Sequence, residues 1–296
     1  MRAAVLGSPI THSLSPVLHT AAYRALGLDG WTYEAIECDE NGLPALLDSL
    51  GPEWAGLSLT MPLKRAVLPL LDEADPHVTE VGNANTVVLD EGRRSGYNTD
   101  IPGMVTALAE ARVGLPRESG VTGDVLVLGG GATATSALAA LRDAGARDVT
   151  VAVRDQARGA HLLEVADRIG IEVRLAPFGP GEPRQAWLTG RGPRPWRLLV
   201  STVPAGAADG WADLIASGQV AAQVVFDVVY HPWPTKLAAA AAGTGAGVIG
   251  GFELLLHQAA EQVRLMTGRS APVQAMREAG LAEVAPRSDI SHQAGR

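Results

Sequence analysis

The chain has 296 residues, of which 47% are hydrophobic and 19% are charged, so a core can form and general disorder is not expected. This length fits roughly two domains. The net charge of −8 argues against an extended phosphate-binding surface, so we expect no nucleic-acid partner, although a cationic pocket for one small anion is still permitted.

Two segments and one side chain bear on location. The apolar run within residues 1–13 is too short for a signal peptide. The most apolar late segment, Leu237–Leu256, is mostly Ala and Gly and carries Glu253, which is not the pattern of a membrane span. The single cysteine, Cys38, excludes an intrachain disulfide and fits a reducing compartment. We expect a cytoplasmic protein without a membrane partner.

The first hundred residues predict an α/β unit with some antiparallel character. Ser15-Pro16 has the pattern of a helix N-cap followed by proline at the first helical position. The predicted elements in order are a strand at Ala3–Leu6, a helix from Ser15, a strand at Trp31–Ile36, a helix at Leu43–Leu50, a strand at Gly56–Leu59, and a hairpin of Ala84–Leu89 and Ser95–Tyr97.

The second half predicts a different architecture. A helix from Ile101 to about Ala111 leads into residues 113–124, which are rich in turn formers and are interpreted as the domain junction. From Asp124 onward strands and helices alternate, as in a doubly wound parallel sheet. Residues 177–196 are dense in Pro, Gly and Arg and predict a surface excursion, and helices return after Thr235.

The predicted fold is therefore α/β, with an N-terminal α/β domain and a Rossmann-type doubly wound parallel-sheet domain that binds a cofactor. We place the first domain at residues 1–104, completed by C-terminal helices at 239–285. The second domain spans residues 105–238, and residues 286–296 form a loose tail.

A glycine loop follows the first strand of the second domain. It reads Gly129, Gly130, Gly131, Ala132, Thr133 and Ala134, and it opens a helical pattern. Glycines let the backbone approach a pyrophosphate, and the helix N-terminus supplies N–H donors. Ala134 takes the place of the third glycine, where a small side chain still permits close helix–strand packing. An ordinary glycine turn is the alternative, and the strand–turn–helix–strand context argues against it.

The end of the next strand bears on the choice of cofactor. A free ribose 2′-hydroxyl is usually met by an acid there, and a 2′-phosphate by arginine. Arg154, with Arg158 one turn on, favours NADP(H), whereas Asp155 leaves NAD(H) open. The two arginines could also be ordinary surface residues.

Short polar clusters end several apolar segments of the first domain, where loops commonly present binding groups. They are Ser13–Ser15, Thr60–Lys64, Asn83–Thr86 and Asn98–Asp100. Their hydroxyl, amide, ammonium and carboxylate groups suit a polyhydroxylated acid. Each has a plainer interpretation: Ser15, Thr60 and Asp100 could be helix caps, and Lys64 an exposed surface lysine.

The order of these motifs resembles that of the shikimate dehydrogenase family. The run Gly7–Pro16 followed by His19 looks like the family's N-terminal signature, and the similarity covers nearly the whole chain. The remaining matches are Thr60-x-Pro62-x-Lys64, Gly82-x-x-Asn85-Thr86, Gly96-x-Asn98-Thr99-Asp100, the glycine loop, Ser201-Thr202-Val203-Pro204, Asp227-x-x-Tyr230-x-Pro232-x-x-Thr235, and Gly251 through Gln258-Ala259.

The resemblance implies an NADP-dependent oxidoreductase that reduces 3-dehydroshikimate to shikimate in aromatic amino-acid biosynthesis. It implies that Lys64 and Asp100 form the catalytic pair. Six further residues would hold the substrate: Ser13, Ser15, Thr60, Asn85, Tyr230 and Gln258. Beyond the glycine loop, Arg154 and Arg158, the cofactor would contact Thr202, Val228 and Gly251.

The chemistry of these residue types is coherent. Hydride addition to a ketone develops negative charge on oxygen, which an ammonium group can stabilise and protonate. A neighbouring carboxylate would hold the lysine in place and bind a substrate hydroxyl. In the reverse direction the lysine must accept a proton, so high pH should favour oxidation.

The chain departs from the family's usual pattern at several positions, which we expect to lie around the cofactor more than around the substrate: Ser58, Asn83, Val153–Asp155, Ser201, Glu253 and Met266. They leave open an NAD-dependent quinate/shikimate dehydrogenase. A non-catalytic nucleotide-binding regulator is a further alternative, which the presence of both Lys64 and Asp100 disfavours. We expect a monomer or a homodimer. We expect no metal, because we see no ligand cluster around His12, His19 or His257.

Overall fold

The computed structural model of the chain describes residues 1–113, 124–155, 159–178 and 194–284. The first sheet has six strands, in the spatial order β2-β1-β3-β5-β6-β4. Its strands are β1 (Arg2–Gly7), β2 (Thr32–Glu37), β3 (Trp54–Leu59), β4 (Glu73–Ala74), β5 (Thr86–Asp90) and β6 (Arg93–Tyr97). The helices between them are α1 (Ser15–Ala25), α2 (Leu43–Asp48), α3 (Leu63–Ala66), α4 (Pro76–Val81) and α5 (Asp100–Glu110), with a 3₁₀ turn at Leu68–Leu70.

The first sheet is mixed, as the sequence predicts. β1 pairs in parallel with β2 and β3, whereas β5 runs antiparallel to both β3 and β6. The predicted hairpin is present: Asp90 pairs with Arg93, and the two residues between them have positive φ angles of 47° at Glu91 and 81° at Gly92. That conformation is typical of a tight hairpin turn. Every residue of β3 is buried, so this strand lies in the core between two layers.

The second sheet is entirely parallel, with the order β12-β11-β10-β7-β8-β9. Its strands are β7 (Val125–Leu128), β8 (Asp148–Val153), β9 (Glu172–Pro177), β10 (Trp196–Ser201), β11 (Ala222–Asp227) and β12 (Gly247–Gly250). The helices between them that the structure describes are α6 (Ala132–Asp143), α7 (Ala160–Ile169), α8 (Asp209–Ala216) and α9 (Lys236–Gly243). The strand order reverses between β7 and β10. In open parallel sheets ligands bind in the crevice outside such a point.

The core of this second unit is made largely of fully buried apolar side chains, including Trp211 and Phe226. Burying one such side chain stabilises a fold by about 1.5–3 kcal/mol. The chain then returns to the first unit through α10 (Gly251–Thr267) and α11 (Val273–Val284). Helix α10 packs against α5 and also touches β3 and β5, while α11 packs against α1. Helix α6 of the second unit also packs against α4 and α5, so the two units meet through helices.

Residues 239–250 pack with the second sheet and not, as we expected, with the first. Helix α9 lies against α8, β11 and β12, and β12 pairs in parallel with β11. The strand was missed because its four residues hold only two apolar side chains, Val248 and Ile249, between glycines. Such a short segment shows no strand periodicity.

Several predictions fall on parts of the chain outside the described residues. These are Arg158, most of the domain junction, most of the predicted surface excursion, and the tail from residue 286. Among the helices of the described residues, none is long and apolar enough to cross a membrane.

Candidate active site

Lys64 and Asp100 form a close ion pair, with 2.5 Å between Nζ and Oδ2. Lys64 comes from the short helix α3, and Asp100 is the first residue of α5. Only 15% of the lysine side chain and 6% of the aspartate side chain are exposed. The Asp100 carboxylate is stabilised by its position at a helix N-terminus. The second carboxylate oxygen, Oδ1, accepts a hydrogen bond from Asn85 Nδ2 at 2.9 Å.

The structure excludes the plainer interpretations of these polar residues. Ser15 lies inside the first turn of α1, and the residue at the N-cap position is Leu14, whose side chain makes no capping hydrogen bond. Asp100 likewise lies inside α5. Thr60 contributes only its main-chain oxygen, which accepts from Leu63 N at 2.8 Å. Lys64 is mostly buried and not on the surface. Their hydroxyl, carboxylate and ammonium groups therefore serve something other than helix capping or solvation.

A cavity of about 330 Å³ lies next to the ion pair. The proposed catalytic and substrate residues all line it: Ser13, Ser15, Thr60, Lys64, Asn85, Asp100, Tyr230 and Gln258. Val228 and Gly251, expected near the cofactor, line it as well. Three further residues that were not predicted to belong to the site line the same cavity: His12, Ser58 and Gln262. For Gln262 a signal was available, because it follows Gln258 by four residues and so lies on the same helix face.

A second, larger cavity of about 580 Å³ follows the glycine loop. The residues expected to bind the cofactor that line it are Gly129, Gly130, Gly131, Ala132, Thr133, Arg154 and Thr202. Ala134 does not line it and is fully buried, in keeping with a packing role. The lining residues that the sequence analysis missed include Arg65, Phe178, Val203, Pro204 and Ala207.

Gly129 must be glycine at this position. Its φ is +111°, and a Cβ there would lie 2.7 Å from Thr202 Oγ1. Helix α6 begins at Ala132, directly after the loop. Backbone can therefore approach a ligand closely here, with helix N–H groups pointing towards it.

The two cavities meet at the ion pair. Thr60, Lys64 and Thr133 line both of them. Among the described residues that line the larger cavity, three are cationic (Lys64, Arg65 and Arg154) and none is acidic. The chain as a whole carries a net charge of −8. The larger cavity is thus a locally cationic groove that suits a phosphate-bearing ligand, and Lys64 is part of its lining.

The loop after β11 brings Val228 and Tyr230 to the cavity. Asp227, at the end of β11, accepts a hydrogen bond from Thr235 Oγ1 at 2.6 Å and one from Val229 N at 3.3 Å. Burial raises the pKa of Asp227, and its hydrogen bonds oppose that shift. Burial also raises the pKa of Tyr230. The Tyr230 phenol is therefore held in its protonated form and can donate a hydrogen bond into the cavity.

A polar network lies behind the substrate cavity. Gln262 Oε1 accepts from Ser58 Oγ at 2.8 Å, and the Gln262 amide nitrogen donates to Thr86 Oγ1 at 3.0 Å. His19 Nε2 lies 3.3 Å from the same Gln262 oxygen. The His19 ring stacks on Tyr33, with 3.9 Å between the ring centroids. This network ties helices α1 and α10 to strand β3 beneath the cavity.

Burial lowers the pKa of His19 from 6.5 to about 3, against a smaller opposite effect of its hydrogen bond to Gln262. The ring is neutral in the folded chain but charges below its ordinary pKa in the unfolded chain. Because the folded-state pKa is depressed, the free energy of unfolding should fall as pH falls from 6.5 towards 3. The slope is up to about 1.4 kcal/mol per pH unit.

Replacing His19 with phenylalanine should remove this slope. We expect His19→Phe to be less stable than the wild type at pH 7, with the gap narrowing as the pH is lowered to about 4.5. Urea unfolding at the two pH values measures this gap in stability. The exposed Gln274→Met removes no titratable group and is the control that keeps the wild-type slope. A gap that stays constant with pH would contradict the prediction.

Of the departures from the family pattern, Arg154 lines the larger cavity, and Ser201 directly precedes Thr202, which also lines it. The other departures lie elsewhere. Ser58 lines the substrate cavity, and Asn83 joins the two units, with 2.9 Å from its Nδ2 to Thr135 Oγ1. Glu253 lines neither cavity and pairs with Arg277, with 2.5 Å between Oε2 and Nη1. Met266 packs against Gly56.

His257 does have potential ligands around it, contrary to expectation. Its ring and the carboxylates of Glu110 and Glu253 come within 4.8 Å of one another. The guanidinium of Arg277 also contacts both carboxylates, at 3.0 Å from Glu110 and 2.5 Å from Glu253. The positive charge of Arg277 thereby offsets part of the negative charge of the two carboxylates.

Comparison with known proteins decides the family. A shikimate dehydrogenase (NADP(+)) from Citrifermentans bemidjiense is 36% identical over 281 residues, which cover 94% of this chain and 93% of the relative. The chain belongs to the shikimate dehydrogenase family. Another family member, from Thermus thermophilus, is also 36% identical, over 94% of this chain and 97% of the relative.

Family models and solved structures agree with this assignment. The shikimate dehydrogenase substrate binding domain matches residues 5–87, and the shikimate 5'-dehydrogenase C-terminal domain matches residues 251–279. The Mycobacterium tuberculosis shikimate dehydrogenase superimposes with a TM-score of 0.81 at 42% identity, covering 95% of this chain and 99% of that chain. A Thermus thermophilus enzyme solved in complex with NADP(H) and shikimate gives 0.76 at 32% identity, covering 95% and 99%.

Proposed function

We propose that this shikimate dehydrogenase family member catalyses the reversible NADPH-dependent reduction of 3-dehydroshikimate to shikimate. One observation carries the proposal: the Lys64–Asp100 pair lies where a cavity lined by hydroxyl and amide groups meets a cationic groove that follows a glycine loop. A relative that shares the fold was solved with NADP(H) and shikimate together. Two ligands bound in these two cavities would meet beside Lys64.

The larger groove fits a dinucleotide. Gly129 has a φ of +111° that favours glycine, helix α6 begins at the loop, and the charged side chains of the lining among the described residues are all cationic. When bound, the reduced nicotinamide supplies a hydride. The glycine loop and Thr202 would hold the phosphates and Arg154 the ribose 2′-phosphate, while Val228 and Gly251 would border the nicotinamide side.

The residues of the substrate cavity would have different roles in catalysis and in substrate binding. Reduction of the substrate ketone would place negative charge on its oxygen, and Lys64 Nζ would stabilise that charge and donate a proton to the oxygen. Asp100 holds the ammonium in place at 2.5 Å and is itself held by Asn85. We assign Ser13, Ser15, Thr60, Tyr230 and Gln258 to substrate binding. In the oxidation direction Lys64 accepts the proton from the alcohol.

The test is shikimate oxidation by the purified protein, followed by the absorbance of the reduced nicotinamide. Alkaline buffer favours this direction because oxidation releases a proton. We expect turnover with shikimate and NADP that is faster than with shikimate and NAD, and faster than with quinate. No turnover with either cofactor would overturn the enzymatic proposal, and a faster rate with NAD or with quinate would assign the chain to the quinate/shikimate alternative.

The preference for NADPH is expected to depend on Arg154, which is exposed at the end of β8 and lines the groove. Losing a hydrogen bond to a charged group weakens binding roughly tenfold or more, so Arg154→Gln should raise the KM for NADPH by at least that factor. The KM for NADH should stay nearly unchanged. Arg174→Gln, on the neighbouring strand and mostly exposed, is the matched control. An equal rise in the KM for NADPH and for NADH would show that Arg154 does not recognise the 2′-phosphate.

The domain assignment is also a proposal. Residues 1–104 and helices α10 and α11 would form the substrate-binding catalytic unit, and the parallel sheet with α9 and β12 the cofactor unit. Within the substrate unit α5, which begins at Asp100, packs against α10, which carries Gln258. We place the enzyme in the cytoplasm with small molecules as its partners, as a monomer or homodimer that sedimentation velocity would distinguish.

A further inference from the structure

We propose that Gln262 is a positioning residue of this site, which acts through Thr86 to fix the side-chain amide of Asn85 beside Asp100. The inference rests on the proposed function and deepens it. Gln262 lies on α10 one turn after Gln258, and only 1% of it is exposed.

Other groups of the protein satisfy all the hydrogen-bond donors and acceptors of the Gln262 side chain. Its oxygen accepts from Ser58 Oγ and His19 Nε2 at 2.8 and 3.3 Å. Its nitrogen donates to Thr86 Oγ1 at 3.0 Å and to the main-chain oxygen of Asn85 at 3.5 Å. A glutamine side chain offers two acceptor and two donor positions, so all four are in use.

The direction of these hydrogen bonds is set from the far end of the network. Tyr33 donates its hydroxyl proton to Ser58 Oγ at 2.6 Å, which leaves the Ser58 proton to point at Gln262. Burial raises the pKa of Tyr33, so the phenol keeps that proton. The oxygen of Gln262 therefore faces Ser58, and its nitrogen faces Thr86.

The orientation passes on through Thr86 to Asn85. Because Thr86 Oγ1 accepts from Gln262, its own proton is directed to Asn85 Oδ1, 2.9 Å away. The backbone N–H of Thr99 donates to the same oxygen at 2.8 Å. With its oxygen held on this side, Asn85 presents Nδ2 to Asp100 Oδ1 at 2.9 Å. A turned amide would face the carboxylate with its oxygen, and like partial charges would repel.

The orientation of Asn85 affects how Asp100 pairs with Lys64. Asn85 occupies one oxygen of Asp100, so the other is left for Lys64. Gln262 and Thr86 carry no charge and are both almost fully buried. Thr86 does not line either cavity, so an effect of Thr86 on turnover must pass through its neighbours.

A double-mutant cycle tests this chain of action. Gln262→Met and Thr86→Val keep the shape of the side chains but remove the hydrogen bonds between them. We expect kcat to fall about tenfold in each, equivalent to about 1.4 kcal/mol, and the double variant to lose about the same tenfold. NADPH affinity, measured by fluorescence, should not change. Gln274→Met, at an exposed glutamine of the last helix, should behave as wild type.

The outcomes separate the inference from the proposed function. If the two losses multiply in the double variant, or if Thr86→Val keeps wild-type kcat, Gln262 does not act through Thr86 and the inference is overturned. If Gln262→Met does not fold, the kcat values of Thr86→Ser and Thr86→Val are compared instead. Serine keeps the hydroxyl that accepts from Gln262, so Thr86→Ser should have a kcat near that of the wild type. The same double-mutant cycle can be measured without turnover, from the affinity of each variant for shikimate determined by calorimetry. A wild type that neither binds nor oxidises shikimate would instead refute the proposed function.

Discussion

Lys64→Ala is expected to lower kcat for shikimate oxidation by about 10²–10⁴, the range that general acid–base catalysis contributes. The ammonium lies at the junction of the two cavities, and among the described residues no other lysine, arginine or histidine lines both. Alanine cannot stabilise or protonate the carbonyl oxygen. Shikimate should still bind, because the hydroxyl and amide groups of the cavity are untouched, so the loss should fall on kcat far more than on KM.

The chain offers a matched control for this substitution. It has two lysines, and the other, Lys236, has 67% of its side chain exposed and pairs with Asp209 at the surface. Lys236→Ala should keep wild-type kinetics. Because Lys64→Ala leaves the buried Asp100 carboxylate without its cation, some loss of thermal stability is also expected. Lys64→Ala with kcat near the wild-type value would show that the catalytic assignment of Lys64 is wrong.

Features that depend on neighbouring residues could be predicted from the sequence. The glycine loop lies between a run of apolar residues and a helical pattern, and the structure gives a strand, a turn and a helix there. The hairpin at Asp90–Arg93 was likewise readable from its turn residues. The motif order also selected residues from distant positions that line one cavity in the structure.

Features that depend on tertiary contacts could not be predicted. Ser15 has every local property of an N-cap, yet the preceding Leu14 already has helical angles, which places Ser15 inside the helix. In the sequence Gln262 is one of several polar residues of an amphipathic helix. Its buried position follows only from the packing of that helix against β3 and β5. The position of β12 is similar, because the pairing of this four-residue strand with β11, and not a sequence pattern, makes it part of the second sheet.

Gly251→Ala is expected to be the most damaging of the single-methyl changes near the site. A Cβ at Gly251 would lie 2.1 Å from the main-chain oxygen of Val228 and 2.4 Å from its carbonyl carbon. Both atoms belong to backbone, which cannot rotate away as a flexible side chain can. Either the start of α10 or the loop that carries Val228 and Tyr230 must therefore shift.

Such a shift would displace residues expected to contact the substrate as well as residues expected to contact the cofactor. Val228 and Gly251 border the substrate cavity, and Gln258 lies two turns further along the same helix. A displacement of about 1 Å can cost about 10²-fold in rate, so kcat/KM should fall by that order, with the KM for shikimate rising as well. Gly210→Ala provides the control, since it adds the same methyl group to a helix where no atom lies within 4 Å. Steady-state kinetics of the two variants, with circular dichroism to show that both are folded, makes the comparison. Equal activity in Gly251→Ala and Gly210→Ala would mean that the close approach of Gly251 to Val228 is not needed for function.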